Sequence, residues 1–525
     1  MMKQIWKKVI GFSMAAVLTT SLLAGCGKGA DDISADMDTS TPISIDMMLL
    51  NNTSGDGAEF VFKELVKEKF NIDIKFSLNN NQSHFEKLNL LIASNELPDI
   101  VSPLPADRTK LIGPKGALVA VDEYFDYLPN FVKYLEEDET NKISAMADDG
   151  HIYALPRFAV GKTDYKWTPI IRQDYLEELN IPVPTTYKEL FDALRKIKAA
   201  HPDTVGIVNR EKMTFLKAFG VGYNTYDTMF YNKENDKFEF GPMNSGFKEM
   251  ITDFAQAWQD GVLDKEFFTA SEQQWQEKFL NGSGVFTLDW PKRAYTLKDS
   301  YQKLNPNDTK FNTNLIDPLV SEGYTQKRLN YSETLGLWTS WGISANTKHL
   351  GRILQMVDWA YSEEAQNEIQ WGLEGKHYTV NEDGRYQYTP EMKASYNPEG
   401  TVDPMNTLGL NHNRIMRVEK DNGVVEVPEA LNKIIQGYRD NVEGYETDYK
   451  IALTFTEEQS DRIEEIKMVT DTLVNEGVVA FVTGTRPMSE FDSFVGQIKQ
   501  QGGSELEEIY ASAYASYKEK MKSAK

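Results

Sequence analysis

The chain of 525 residues has one cysteine, six histidines and fewer basic than acidic residues. No His-Glu-x-x-His, Gly-x-Ser-x-Gly or phosphate-loop motif occurs, so no spacing predicts a metallopeptidase, a hydrolase elbow or a nucleotide site. Lys and Arg number 56 against 79 Asp and Glu, a formal net charge of −23. This balance argues against nucleic-acid binding, because phosphate contacts require basic patches.

Long apolar runs are absent except near the N-terminus, where the uncharged residues 9–24 follow three lysines. That run is too short to span a bilayer comfortably and predicts a secretory signal segment. It ends in Leu-Ala-Gly-Cys, which resembles the bacterial lipobox and makes the lone Cys26 the lipidated residue. We therefore predict a signal peptide at residues 1–25 and a flexible Gly/Ser/Thr/Asp-rich tether at residues 26–42, with the protein lipid-anchored on the extracellular face of the cell membrane.

Strand-like and helix-like segments alternate after the tether, which predicts an α/β fold with largely parallel sheets. Residues 43–50 and 72–76 have strand patterns, and a helix with one apolar face separates them. Thr186 and Glu189 have the spacing of a capping box, and the C-terminal third is mostly helical. The chain is too long for one typical domain, so we expect two lobes.

Several short motifs resemble one family when they are taken in order along the chain. They are LIASNELPDI at 91–100, DGHIYALP at 149–156, IRQDYL at 171–176 running on to PTTY at 184–187, KFLNG at 278–282, and SEEA at 362–365 with GLEGKHY at 372–378. Each motif is weak alone, but behind a lipobox the series is specific. The chain resembles the family 1 extracellular solute-binding lipoproteins of ABC importers, and most of all their large oligosaccharide-binding branch in Gram-positive bacteria.

The resemblance implies a two-lobed, type II periplasmic-binding-protein-like α/β fold with a ligand cleft between lobes that crossover strands join. It assigns residues 43–160 and 313–375 to lobe 1 and residues 161–312 and 376–525 to lobe 2. The implied partners are a carbohydrate, most often an oligosaccharide, and the permease subunits of an ABC transporter. We expect a monomer that is not an enzyme, with no cofactor and no nucleic-acid partner.

Three tryptophans are candidates for stacking on the C–H faces of a sugar. Trp290 follows a predicted strand, and maltose-binding relatives place a stacking Trp just after the equivalent strand. Trp338 and Trp341 lie beside a predicted crossover, and we expect both on one face of an extended run. The alternative for each ring is packing in the interior of a lobe.

Polar candidates flank the crossover and the end of the first strand. Tyr153 and Arg157 lie next to the first crossover, while Asn51, Asn52 and Asp56 belong to a loop that follows a strand. Ligands of open α/β sheets sit beyond the carboxyl ends of strands, which favours this loop as a hydroxyl-binding element.

Residues 52–57 superficially resemble a calcium loop, but the twelfth position is Lys63 where a bidentate Glu would be needed. We find no matching loop near residues 200–210, and we predict no metal. Two functions remain as alternatives to sugar capture. One is a peptide-binding lipoprotein, and the other is an exported carbohydrate-active enzyme, since 79 carboxylates could include a glycosidase pair.

Overall fold

The computed structural model describes most of the chain after residue 29. The described residues are 30–50, 57–58, 60–137, 139–160, 167–324, 328–329, 335–382, 386–396, 408–410, 418–420, 429–442, 445–447, 451 and 453–523. None of the helices in these ranges is both long and apolar enough to cross a bilayer.

The strands belong to two main sheets and three two-stranded pairs. They are β1 Ile43–Leu50, β2 Ile72–Asn79, β3 Ile100–Ser102, β4 Leu155–Val160, β5 Thr168–Arg172, β6 Gly206–Ile207, β7 Met229–Asn232, β8 Lys237–Phe240, β9 Gly284–Asp289, β10 Thr313–Leu315, β11 Arg328–Leu329, β12 Leu335–Ile343, β13 Tyr378–Val380, β14 Tyr386–Tyr388, β15 Val418–Lys420 and β16 Glu446–Thr447.

The helices cover the sheets and form most of the C-terminal part. They are α1 Ala30–Asp36, α2 Val61–Phe70, α3 Asn81–Ser94, α4 Ala106–Ile112, α5 Pro129–Glu136, α6 Glu139–Ala145, α7 Gln173–Glu178, α8 Tyr187–Ala200, α9 Phe215–Gly220, α10 Ser245–Gln259, α11 Glu272–Leu280, α12 Lys292–Leu304, α13 Leu350–Ala360, α14 Glu363–Trp371, α15 Pro390–Tyr396, α16 Glu429–Asn441, α17 Glu457–Val482, α18 Phe491–Ile498 and α19 Ser504–Ser523.

The first sheet has the strand order β15-β4-β12-β3-β1-β2. β1 runs parallel to β2 and β3, whereas β12 is antiparallel to both β3 and β4. Side chains alternate along β1, so Met47 and Leu49 join one core and Met48 joins another on the opposite face. Helices therefore cover both faces, and the ends of the strands are left to meet the second lobe.

The second sheet has the order β10-β5-β9-β6, with β5 antiparallel to its two neighbours and β6 parallel to β9. Its larger core receives α8, α10, α17 and α18. The capping box predicted from the sequence is present at the start of α8, where Thr186 accepts a hydrogen bond from the backbone N–H of Glu189. This second core extends into the C-terminal helices, which is why the last third of the chain belongs mainly to the second lobe.

The first chain crossing fixes which edge of the second sheet faces the first sheet. Six residues separate Val160, the end of β4, from Trp167, which precedes β5. An extended link of that length spans about 25 Å at most, so the Thr168 end of β5 lies towards lobe 1. β10 ends at the same edge, since its C-terminal residue Leu315 pairs with Ile170. The chain then stays with lobe 2 at least as far as Ser321, whose backbone N–H donates to the Gly222 oxygen.

The expected lobe boundaries need correction at two places. Residues 313–315 form β10 of the second sheet, and Ile316 and Leu319 pack in the core of lobe 2, so the chain returns to lobe 1 later than residue 313. Beyond residue 375, Tyr378 and Met392 pack with α2, and β15 pairs with β4. Lobe 1 therefore extends past residue 376, because these segments pack in the same apolar cluster as α2.

The expected tether at residues 26–42 is also wrong in part. Residues 30–36 form α1, whose Ile33 is 1% exposed in the core of lobe 1. The Asp36 carboxylate accepts a hydrogen bond of 2.7 Å from the backbone N–H of Gly351, at the start of α13. The Arg352 guanidinium donates to the backbone oxygens of Asp38 and Thr41. Because residues 26–42 are mostly polar, their composition did not indicate that Ile33 is buried or that the segment is hydrogen-bonded to α13.

The two lobes touch through side chains outside the crossings. Lys520, in the last helix α19, lies 3.0 Å from the carboxylate of Asp148 in lobe 1. Lys110 of α4 is nearly buried, and its ammonium donates to the hydroxyl of Thr454, 3.2 Å away, in the segment that leads into α17. These contacts join the two lobes outside the crossings.

We expect Ile33→Ala to lower the free energy of unfolding of the mature protein by about 2–5 kcal/mol, because it opens a cavity in a packed core. Urea titration followed by circular dichroism measures the change. Ser34→Ala, at an exposed position of the same helix, is the control and should have little effect. Equal stability of the two variants would show that α1 does not contribute to lobe 1.

Candidate ligand-binding site

The edge of the second sheet that faces lobe 1 ends in two tryptophans. Thr168 and Asp289 are the last paired residues of β5 and β9, and the Thr168 hydroxyl donates to the Asp289 backbone oxygen at 2.7 Å. Trp167 directly precedes Thr168, and Trp290 directly follows Asp289. Each tryptophan therefore lies one residue beyond the last pair of the two strands. Sequence-distant rings are thereby brought to the same end of the sheet.

Trp290 occupies a sharp connection between a buried strand and a helix. All six residues of β9 are buried, and Pro291 then leads directly into α12. The backbone N–H of Trp290 donates to the Asp289 carboxylate at 2.7 Å, and its side chain is partly exposed. Trp290 therefore lies at the carboxyl end of a strand and stays a candidate for ligand binding.

Trp167 is a candidate that the sequence did not reveal. Its φ of +56° is unusual for a bulky side chain, and strained backbone of this kind concentrates at functional sites. The ammonium of Lys217 lies 5.8 Å from the centre of its ring, over one face. Only its position directly after the first crossover could have indicated its role, because no local motif surrounds it.

Asp289 organises the polar groups beneath the two rings. Its carboxylate is 1% exposed and accepts two hydrogen bonds from Arg210, at 2.6 and 2.9 Å. Arg210 follows β6, which runs parallel to β9, so the two residues meet at the same edge. The hydrogen bond to Asp289 raises the pKa of Arg210 further above its high ordinary value. The pair is a fixed, charge-assisted element of the site.

A second arginine joins this network from α12. Arg293 bonds to Glu272, the first residue of α11, and approaches Asp289 to 3.9 Å. Both guanidinium groups lie against the buried Trp275, at 5.6 Å for Arg210 and 5.4 Å for Arg293 from the ring centre. Trp275 donates its indole N–H to Thr287 at 3.2 Å. The buried ring thus fixes the orientation of both charged groups.

A lysine and an aspartate form a separate polar group beside Trp167. Burial raises the pKa of Asp227, while the nearby Lys217 acts in the opposite direction. Lys217 belongs to α9 and is partly buried. The edge therefore combines partly exposed rings with hydrogen-bonding charged groups, an arrangement suited to a polar ligand that has apolar faces.

Two of the predicted ligand contacts are wrong for this conformation. Trp341 is 0% exposed, packs edge-on against Phe62, and pairs with Leu155 at the end of β4 remote from the crossing. Residues three apart on a regular strand also alternate faces, so the expected shared face with Trp338 had no geometric basis. Tyr153 is buried in another lobe 1 core and donates its hydroxyl to Asp149 at 2.6 Å. Both rings stabilise lobe 1.

Of the remaining predicted contacts, the structure describes the side chain of Arg157 only. Arg157 lies on β4 opposite Gly336, closer to the crossing than Tyr153, and is partly exposed. It stays a candidate. Trp338 belongs to β12, but its side chain lies outside the described part of the structure, as do the other three predicted contacts, Asn51, Asn52 and Asp56. Cys26 lies outside it as well.

Two of the motifs that supported the family resemblance have structural roles in lobe 1. Asp99 accepts hydrogen bonds from the backbone N–H of Asp46 at 2.9 Å and from the Thr347 hydroxyl at 2.6 Å, which fastens β1 to the loop after β12. In the second motif, His151 bonds to Asp122 at 2.9 Å. These residues build the scaffold and do not mark the cleft.

Among the described residues, no group of three His, Cys, Asp or Glu side chains could hold a metal ion. Near residues 200–210, the ammonium of Lys198 donates to the backbone oxygens of Pro202 and Thr204 at 2.7 and 2.6 Å. A side-chain cation therefore occupies the position between these carbonyls. The absence of a metal remains a prediction.

The hydrogen bond to Asp122 raises the pKa of His151. A raised pKa in the folded state means that protonated His151 stabilises the fold below the unfolded pKa of about 6.5, and that this stabilisation is lost as pH rises through the folded value. We expect His151→Gln to be less stable than the parent at pH 5.5, with the difference shrinking towards pH 8.5. Urea unfolding at both pH values measures it, and a gap that grows with pH would contradict the assignment.

Two α/β lobes that chain crossings join are the architecture of the solute-binding class of protein. The chain belongs to the bacterial extracellular solute-binding protein family, whose model matches residues 52–367.

Two curated relatives show how far the likeness extends in sequence. The fructooligosaccharide ABC transporter substrate-binding protein FusA of Streptococcus pneumoniae is 28% identical over 344 residues, which is 56% of this chain and 60% of FusA. The lipoprotein LipO of Bacillus subtilis is 24% identical over 521 residues, 96% of this chain and 98% of LipO.

The fold is shared with a solved structure of the alginate-binding protein AlgQ2 without calcium ion. The TM-score is 0.73 at 19% identity, over 91% of this chain and 98% of AlgQ2. At this identity the likeness concerns the fold. It confirms the two-lobed α/β architecture predicted from the sequence.

Proposed function

We propose that the protein captures an oligosaccharide between its lobes and delivers it to the permease of an ABC transporter. The observation that supports this most is the placement of Trp167 and Trp290 one residue beyond the last pair of β5 and β9, next to the Asp289–Arg210 pair. Sugar rings offer C–H faces to indoles and hydroxyls to charged side chains. The names of FusA and AlgQ2, which bind fructooligosaccharides and alginate, agree with this class of ligand.

Delivery depends on a conformational equilibrium. Ligand that contacts both lobes stabilises the closed form by its differential contacts, and the closed surface is what a permease would recognise. The Lys520–Asp148 pair and the Lys110–Thr454 hydrogen bond also span the lobes, so their free energies contribute to the same equilibrium. An exposed ion pair of this kind is worth at most about 1 kcal/mol, which leaves the ligand as the dominant effector.

The N-terminal features complete the proposal. Cleavage before Cys26 and lipidation of its thiol would tie the chain to the outer face of the cell membrane, and α1 begins only four residues later. Because α1 packs on lobe 1, the anchor would hold that lobe next to the bilayer while lobe 2 moves. We propose a monomer, with no chemical step performed on the ligand.

The peptide-binding and carbohydrate-active alternatives are separated by one assay. Oligosaccharides at about 100 times their dissociation constant should stabilise the mature protein by about 2.7 kcal/mol, seen as a rise in melting temperature, and should be recovered intact by chromatography. Stabilisation by peptides alone would favour the peptide-binding alternative. Recovery of shortened glycans would indicate a carbohydrate-active enzyme.

Trp290→Ala should weaken oligosaccharide binding about tenfold without unfolding the protein, because a stacked ring contributes on the order of 1 kcal/mol beyond its buried area. Isothermal titration calorimetry measures the dissociation constant. Trp258→Ala is the matched control, since Trp258 is a partly exposed ring at the C-terminal end of α10 in the same lobe. Unchanged affinity of Trp290→Ala beside an unchanged control would remove Trp290 from the site.

A further inference from the structure

The turn that follows β6 is held by one buried amide side chain, that of Asn209. Asn209 is 8% exposed and lies two residues beyond the end of β6. Its amide nitrogen donates to the backbone oxygens of Lys212 at 2.8 Å and of Phe267 at 3.1 Å. Its amide oxygen accepts from the backbone N–H of Glu211 at 3.0 Å. One side chain therefore closes the turn and ties it to a second segment of the chain.

The second segment belongs to the packed core of lobe 2 and gives the turn a fixed support. Phe267 is fully buried and packs edge-on against Phe215, with the ring centres 4.8 Å apart. The backbone oxygen of Asp264 accepts from the N–H of Phe267, and the backbone N–H of Asp264 donates to the Ile207 oxygen in β6, both at 3.0 Å. The amide of Asn209 thus fastens the turn to a part of the core that is already bonded to the same strand.

The backbone of this turn has a conformation that its own residues do not favour. Lys212 has a φ of +51°, in the left-handed region that residues other than glycine seldom adopt. Such a conformation persists where the surrounding structure determines it, and the hydrogen bond from Asn209 to the Lys212 backbone oxygen is a contact that does so. Strained backbone of this kind concentrates at functional sites. The charged side chain that this turn brings to the sheet edge is that of Arg210.

Strand register places Arg210, and the turn sets the orientation of its guanidinium. Ile207 pairs with Phe286, so Arg210 and Asp289, each three residues further along parallel directions, lie side by side. Asp289 accepts from Nε and Nη2 of Arg210, at 2.6 and 2.9 Å. The remaining nitrogen, Nη1, takes no part in that pair and lies 3.2 Å from a carboxylate oxygen of Glu211. Nη1 carries two N–H groups, which are donors of the kind that sugar hydroxyls accept.

We propose that Asn209 is a positioning residue for oligosaccharide binding, which holds the turn after β6 so that Nη1 of Arg210 donates to hydroxyls of the ligand. This role rests on the proposed function and adds a residue to its site. Asn209 acts through Arg210, because its own polar atoms are bonded within the protein. Hydrogen bonds weaken steeply when their angle departs from linearity, so a guanidinium that shifts with the turn loses affinity even though it stays at the edge.

Asn209→Ala should weaken oligosaccharide binding about tenfold, because a hydrogen bond from a charged donor loses its geometry. The probe is whichever member of a panel of neutral and acidic trisaccharides, kestose and trigalacturonate included, most raises the melting temperature of the mature protein. Isothermal titration calorimetry measures its dissociation constant. Thr204→Ala is the matched control, since Thr204 is 3% exposed, donates its hydroxyl to the His201 backbone oxygen at 2.9 Å, and precedes β6 at the end opposite Asn209. Both variants should lower the melting temperature, and only Asn209→Ala should lower the affinity.

A double variant with Arg210→Lys separates positioning from a general effect on the site. Lysine keeps a cation beside Asp289 but lacks the second guanidinium branch, so Arg210→Lys should itself weaken binding, and Asn209→Ala should add little on that background. Unchanged affinity in Asn209→Ala, an equal loss in Thr204→Ala, or full additivity with Arg210→Lys would each overturn the positioning role and leave the proposed function standing. If no trisaccharide raises the melting temperature of the parent, the proposed function fails, and the role of Asn209 fails with it.

Discussion

The carboxylate of Asp289 is the constraint on which the proposed site depends. It is buried at the last pair of β5 and β9, and it orients Arg210 and the backbone N–H of Trp290 together. A buried charge is tolerable only when it is paired and hydrogen-bonded, and removing one partner of such a pair typically costs about 3–5 kcal/mol. The sheet edge, the strand-to-helix turn and the guanidinium are therefore coupled, so the site keeps its shape before any ligand arrives.

This arrangement explains how topology creates a cleft without a dedicated cleft motif. Because the link from β4 enters β5 at its Thr168 end, the residues beyond that edge of the second sheet lie towards the other lobe. Parallel strands β6 and β9 then deliver Arg210 and Trp290 to the same place, as expected at the carboxyl ends of strands. Trp275 completes the arrangement from below, since a buried ring between two guanidinium groups fixes both.

The sequence predicted the architecture better than it predicted the site. Alternating strands and helices and the capping box at Thr186 follow from local patterns, and the structure contains them. The docking of α1 and the true extents of lobe 1 depend on contacts between distant segments, such as Ile33 against α13, which periodicity does not encode. For the same reason Trp341 was misassigned: an aromatic residue beside a crossover looks the same in sequence whether it points to a cleft or to a core.

The contrast between the motifs and the site follows from what each must do. Asp99 and His151 secure turns of lobe 1, so they belong to the fold and do not identify the ligand. Trp167, Arg210 and Glu272 lie outside those motifs and meet only through the sheet edge. A scaffold held by its own hydrogen bonds leaves such edge residues free to vary in charge and shape.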